Sequence, residues 1–229
     1  MSSHRKRYQD THTPKDYVSP DLTQLLVATV AALAVGAVYV VLPASLVVGP
    51  PWLLIVIESV LLAPVVVAAV SVRISLPYRT ARMLALALLA VLAAALIASV
   101  LLLVTHFARL QGNALLQSGA ILWCANVLVF ASWYWETDGS GPPARLERGY
   151  HAVDFQFPQQ QYGNPTSWAP GFVDYLFLAF CTSTALSPAD TVPLSRRAKG
   201  LMMIQSVISL LIIVLLVARS VNIIGQTGG

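Results

Sequence analysis

Charge is scarce in this chain: Asp, Glu, Lys and Arg make up 10% of its residues, against 57% apolar ones. A soluble domain carries about 25% charged residues, and too few are present here to cover a water-facing surface. With a mean hydropathy of +0.71, the chain reads as an integral membrane protein. Cysteine is scarce too. Cys124 and Cys181 both lie inside apolar runs, which predicts buried free thiols; a metal site would need ligands clustered at short spacing. Catalytic signatures are missing: there is no HExxH, no GxSxG, no phosphate-binding glycine loop and no paired carboxylates in a cleft-forming pattern. The expectation is therefore a protein that is not an enzyme and holds no cofactor or metal. No cleavable signal peptide is read either, because the first apolar run begins near Leu22 and is long enough to stay in the bilayer. The net charge of +4 comes from basic residues scattered through loops, so it reports topology, and nucleic acid is not an expected partner.

What is present is length in apolar runs. A spanning helix needs about 20 such residues, and five segments qualify, near 23–45, 51–72, 83–105, 115–135 and 200–224. The linker "PASLVVGPPW" breaks the first two with proline and glycine, predicting a tight helical hairpin. Residues 1–21 form a polar tail, 22–135 a four-helix membrane region, 136–170 a loop expected to be mostly solvated, and 171–224 a C-terminal module. A loop that long in a compact protein usually has a purpose.

Cytoplasmic loops are enriched in Lys and Arg. With the N-terminus inside, Arg5, Lys6, Arg7, Lys15, Arg73, Arg79, Arg82, Arg145, Arg148, Arg196, Arg197 and Lys199 are cytoplasmic, and only Arg109 and Arg219 fall outside. This places the N-terminus and the region from Trp135 to Lys199 in the cytoplasm of a multi-pass cell-membrane protein.

The stretch "FVDYLFLAFCTSTALSPAD" is too short for a sixth span, which would also carry Arg196, Arg197 and Lys199 outward. A re-entrant segment fits better: a short helix enters, and an irregular stretch returns to the same face. Irregular backbone at membrane depth is tolerated only where it packs on protein or lines water, since unpaired amides in lipid cost several kcal/mol each. An interfacial helix lying on the surface is the alternative.

Helix, loop, short helix, hydroxyl-rich turn and final helix together resemble the pore module of tetrameric potassium channels, where a pore helix leads into Thr-Val-Gly-Tyr-Gly-Asp. Here Thr184, Ala185, Leu186, Ser187, Pro188, Ala189 and Asp190 occupy the corresponding places, and Asp190 to Pro193 keeps the Asp-x-x-Pro spacing. Both filter glycines are replaced, by Ser187 and Ala189, and Pro188 stands at the aromatic position. Such residues reach the left-handed conformations of a carbonyl ladder only at a cost. The pore would then be lined by the hydroxyls of Thr182, Ser183, Thr184 and Ser187 and by the Asp190 carboxylate, with loose selectivity. The C-terminal part also resembles an uncharacterised family of bacterial multi-pass membrane proteins, a domain of unknown function, through Asp174 to Phe180, Asp190, Ser195-Arg196-Arg197 and Val221-Asn222. Potassium channels place the pore loop on the outer face, whereas the charge count places it inside. Ionotropic glutamate receptors carry such an inverted module.

Lesser candidates remain. Glu58, inside the second run, is a possible intramembrane ionisable site or a structural group bonded to a neighbouring helix. His106 is expected to cap the third helix, Asn126 to bond across helices at roughly 1 kcal/mol, and Trp133, Tyr134 and Trp135 to form an interfacial belt.

The expected protein is thus all-α, with five transmembrane helices plus one re-entrant pore-loop-like segment. It is a homo-oligomer, a tetramer if the channel resemblance holds, that conducts cations; its partners are the lipid bilayer and inorganic ions. The alternative is a non-conducting structural or regulatory membrane protein in which the segment packs the bundle or docks a partner.

Overall fold

A computed structural model describes residues 22–70, 77–107, 112–164, 166–184 and 190–227. The protein is all-α apart from one short ladder. Helices α1 (Leu22–Val41), α2 (Trp52–Val70), α3 (Tyr78–Thr105), α4 (Gly112–Thr137), α5 (Pro142–Glu147), α6 (Phe172–Thr184) and α7 (Arg196–Thr227) follow in order. The ladder joins β1 (Phe155–Gln156) to β2 (Val192–Pro193), antiparallel, with Phe155 opposite Pro193. Of these helices α3, α4 and α7 are long and apolar enough to cross a membrane.

Chain breakers set the boundaries. After α1, Pro43 opens a single turn whose Leu46 amide donates to the Pro43 carbonyl at 2.8 Å, and Leu46 is fully buried. The carbonyl of Pro50 then accepts from the Leu53 amide at 2.9 Å as α2 begins. Pro77 starts α3 in the same way, since its missing N–H would be unpaired there in any case. At the other end of α3, His106 is the C-cap, its Nδ1 3.0 Å from the Leu102 carbonyl, as expected.

α4 is the centre of the bundle and packs against α1, α3, α6 and α7. Small side chains permit this. Where lipid surrounds a bundle, helices associate through close packing and polar contacts, because burial from lipid supplies no hydrophobic gain. A Cβ on Gly119 would stand 2.5 Å from Leu216 Cδ2, so α7 passes close to α4 there. Leu115, Leu122, Ala125 and Val129 of α4 are buried as well.

The course of the chain after α4 organises everything else. α6 begins beside Trp135, which stacks edge-on against Phe172 and Tyr175 at 6.1 and 5.5 Å. Running antiparallel to α4, it reaches Trp123 and Asn126, with Phe180 5.7 Å from the Trp123 ring. That is about nine to twelve residues back along α4, or roughly 14–18 Å at 1.5 Å per residue. By Val192 the chain is back at the starting end, paired with β1. α7 then runs along α4, from Gln205 beside Tyr134 to Leu216 beside Gly119.

Three expectations are corrected. Tyr134 and Trp135 are buried, at 0% and 2% exposure, and do not form a belt; their hydroxyl and ring have partners inside the protein. Cys124 is exposed, whereas Cys181 is buried, and both thiols are free. Residues 136–164 are no solvated loop: Asp138, Arg145, Phe155, Phe157, Gln160 and Asn164 are all buried in a folded cap.

Candidate functional site

The cap is held by one charged core. The carboxylate of Asp138 accepts from the amides of Asp154 and Phe155 at 3.1 and 3.3 Å and from the Tyr175 hydroxyl. Asp154 answers by accepting from the Gly139 amide at 2.8 Å. Arg145 Nη1 donates to the carbonyls of Trp135 and Asp138 at 2.6 and 2.9 Å, so it satisfies the end of α4 that lacks helical partners. Its guanidinium lies 4.5 Å from the Trp135 ring and 5.3 Å from Tyr175, an arrangement in which a desolvated cation is attracted to the ring face. Tyr78 ties α3 to this cap by donating to the Ser140 carbonyl at 2.8 Å. Farther out, Asn164 in a left-handed conformation accepts from the Trp168 amide at 2.8 Å and donates to the Trp168 carbonyl at 2.9 Å. Entry and return of the α6 segment are thereby clamped at one end: Tyr175 opens α6, and Leu194 after β2 donates to the Asp154 carbonyl at 2.8 Å.

The inner end of α6 is held by neutral polar groups. Gln205 Nε2 donates to the Ala179 carbonyl and to Ser183 Oγ, both at 2.8 Å, while its Oε1 accepts from the Tyr134 hydroxyl. Asn126 Nδ2 donates to Ser183 Oγ at 3.3 Å, the bond across helices that its position predicts. Ser209 donates to the Ser183 carbonyl and accepts from Trp123 Nε1 at 3.1 Å. A helix ending inside a bundle leaves its last carbonyls unpaired, and the Ser209 hydroxyl removes one such vacancy.

The residues singled out in the sequence therefore divide. Thr182 and Ser183 are buried inside the bundle, with Thr182 bonded to the Leu178 carbonyl of its own helix at 2.8 Å. Thr184 is partly exposed and bonds back to the Phe180 carbonyl at 3.1 Å. Asp190 is exposed, two residues before β2. Ala185, Leu186, Ser187, Pro188 and Ala189 lie outside the described residues. Glu58 is fully buried between α2 and α1, far in the sequence from this module.

Sequence reasoning missed Gln205, Ser209, Tyr134, Asp138 and Arg145. A signal for the first two was available: Gln205 and Ser209, four apart on an apolar helix, share one face, as do Trp123 and Asn126, three apart. Among the described residues no group of three or more His, Cys, Asp or Glu could hold a metal ion. No protein-family model, curated protein or solved structure matches this chain.

Proposed function

We propose that this is a membrane protein of five spans with one re-entrant segment, and that copies of the chain assemble so that the tips of those segments form a cation pathway. α1 and α2, apolar helices of 20 and 19 residues, complete the count with α3, α4 and α7. The observation that carries the reading is the course of α6, which ends about halfway along α4 while the chain is back at its starting end by Val192. Non-helical backbone at such depth needs either protein around it or water.

Within this reading the hydroxyls have two roles. Thr182 and Ser183 anchor the inner end of α6 through bonds inside the chain, and Thr184 and Asp190, both accessible, are the described residues of the motif left for the path. Asp190 at its mouth attracts cations. In a reconstituted protein under a salt gradient, Asp190→Asn is expected to move the reversal potential toward zero; an unchanged value sinks the role of Asp190.

The non-conducting reading also has an observation in its favour, namely that Gln205 and Asn126 both bond to Ser183 within a single copy. Electron microscopy of detergent-purified protein separates the two. A symmetric ring with Thr184 and Asp190 around a hydrated axis supports conduction, and a monomer or a lipid-plugged ring supports packing alone.

A further inference from the structure

Glu58 stands six residues into α2, about 9 Å of helix rise from the end that joins α1. It is fully buried, and neither carboxylate oxygen has a hydrogen bond of good geometry among the described residues, the Gly36 backbone being the polar group nearest to hand. Room for it is made by α1: a Cβ on Gly36 would collide with the Glu58 carboxylate, and a glycine leaves that space free. Tyr39, one turn farther along α1, is the titratable group beside Glu58, and Ser99 from α3 faces the Tyr39 hydroxyl. Both of those hydroxyls are buried without a hydrogen bond of good geometry. None of the groups facing Glu58 from α1 or α3 is basic among the described residues.

An isolated carboxylate in such surroundings would cost far more than protonation. A metal ion is the other way to neutralise it, but hard cations want about six oxygens, and among the described residues Tyr39 is the one oxygen-bearing side chain set beside the carboxylate. The proton is therefore the ligand this donor set fits. An apolar cavity of about 360 Å³ between the α1–α2 hairpin and α3, lined by Val47, Val48, Leu53, Ile57 and Ala98, reaches Tyr39 but not Glu58 itself.

We propose that Glu58 is a proton-binding site that exchanges with the compartment on the hairpin side by way of Tyr39 and the cavity that Tyr39 lines. The site is independent of the α6–α7 module and stands whether or not that module conducts.

The test uses the full chain in liposomes and two probes. Dicyclohexylcarbodiimide, which reacts with protonated carboxyls in apolar surroundings, is expected to label the Glu58 peptide at neutral pH, as read by mass spectrometry. Raising the pH on the hairpin side should suppress that label, and Tyr39→Phe should slow the response. In infrared difference spectra, the carbonyl stretch of a protonated carboxylic acid should shift in D₂O and vanish in Glu58→Gln. A Glu58 peptide that stays unlabelled at neutral pH overturns the proposal. So does a label, or an infrared band, indifferent to hairpin-side pH and to D₂O, because that would be a sealed structural acid. The labelling arm uses wild-type protein, so it decides the question even if Glu58→Gln does not fold.

Discussion

Arg145→Ala is expected to lower the stability of the purified protein by about 3–5 kcal/mol, the range found when one partner of a buried charge arrangement is removed. Arg145 is only 3% exposed. Its loss strips the Trp135 and Asp138 carbonyls of their donor and removes a positive charge that acts on the Asp138 carboxylate, 2% exposed. Stacking over Trp135 disappears as well. Because the same core clamps the start of α6 and the return through β2, the cap should loosen as a unit. Thermal unfolding in detergent measures the first effect, and protease cleavage between residues 138 and 164 the second. Arg145→Lys is expected to rescue little, since a lysine provides the charge without the planar fork that reaches two carbonyls and lies flat on a ring. A midpoint equal to that of the wild-type protein would show that the cap is held by its aromatic packing alone.

Gln205→Leu should cost about 2–4 kcal/mol, because each buried group left unpaired costs about 1–3 kcal/mol. The substitution orphans the Tyr134 hydroxyl and takes one of two donors from Ser183 Oγ. It also removes the side chain that pins α6 to α7. Interhelical hydrogen bonds in membranes often contribute less, averaging about 0.6 kcal/mol, but here one amide bonds to α4 and α6 at once. A double-mutant cycle with Ser183→Ala isolates the coupling, expected at about 0.5–3 kcal/mol for contacting residues. Strict additivity of the two substitutions would mean that Ser183 and Gln205 do not act together.

Different parts of the molecule were legible to different degrees. The helical hairpin before α2 could be read from Pro43, Pro50 and Pro51 because proline acts locally, through its own φ and its missing donor. His106 and Asn126 could be placed for a related reason: a helix end and an intramembrane amide each have few ways to be satisfied. The Trp133-Tyr134-Trp135 run misled. Its composition matches an interfacial belt, yet Tyr134 and Trp135 face Gln205, Phe172 and Tyr175, which lie far away in sequence. The polar stretch from Glu136 to Pro170 misled in the same manner, since low hydropathy does not reveal that Asp138 can reach the amides of Asp154 and Phe155.

By itself the sequence determined that this chain belongs in a membrane, that helices dominate it, and where most of them begin and end. Those properties follow from composition, from run length and from breakers acting within a few residues. Only the tertiary structure decided that α6 packs antiparallel along α4, that Asp138 and Arg145 form the core of a cap, and that Ser183 is spent on Gln205. It also decided that Glu58 lies against Gly36 with no basic neighbour among the described residues. Each of these depends on which groups meet across 7 to 71 positions of chain. In a medium without water the partner each one finds sets its role.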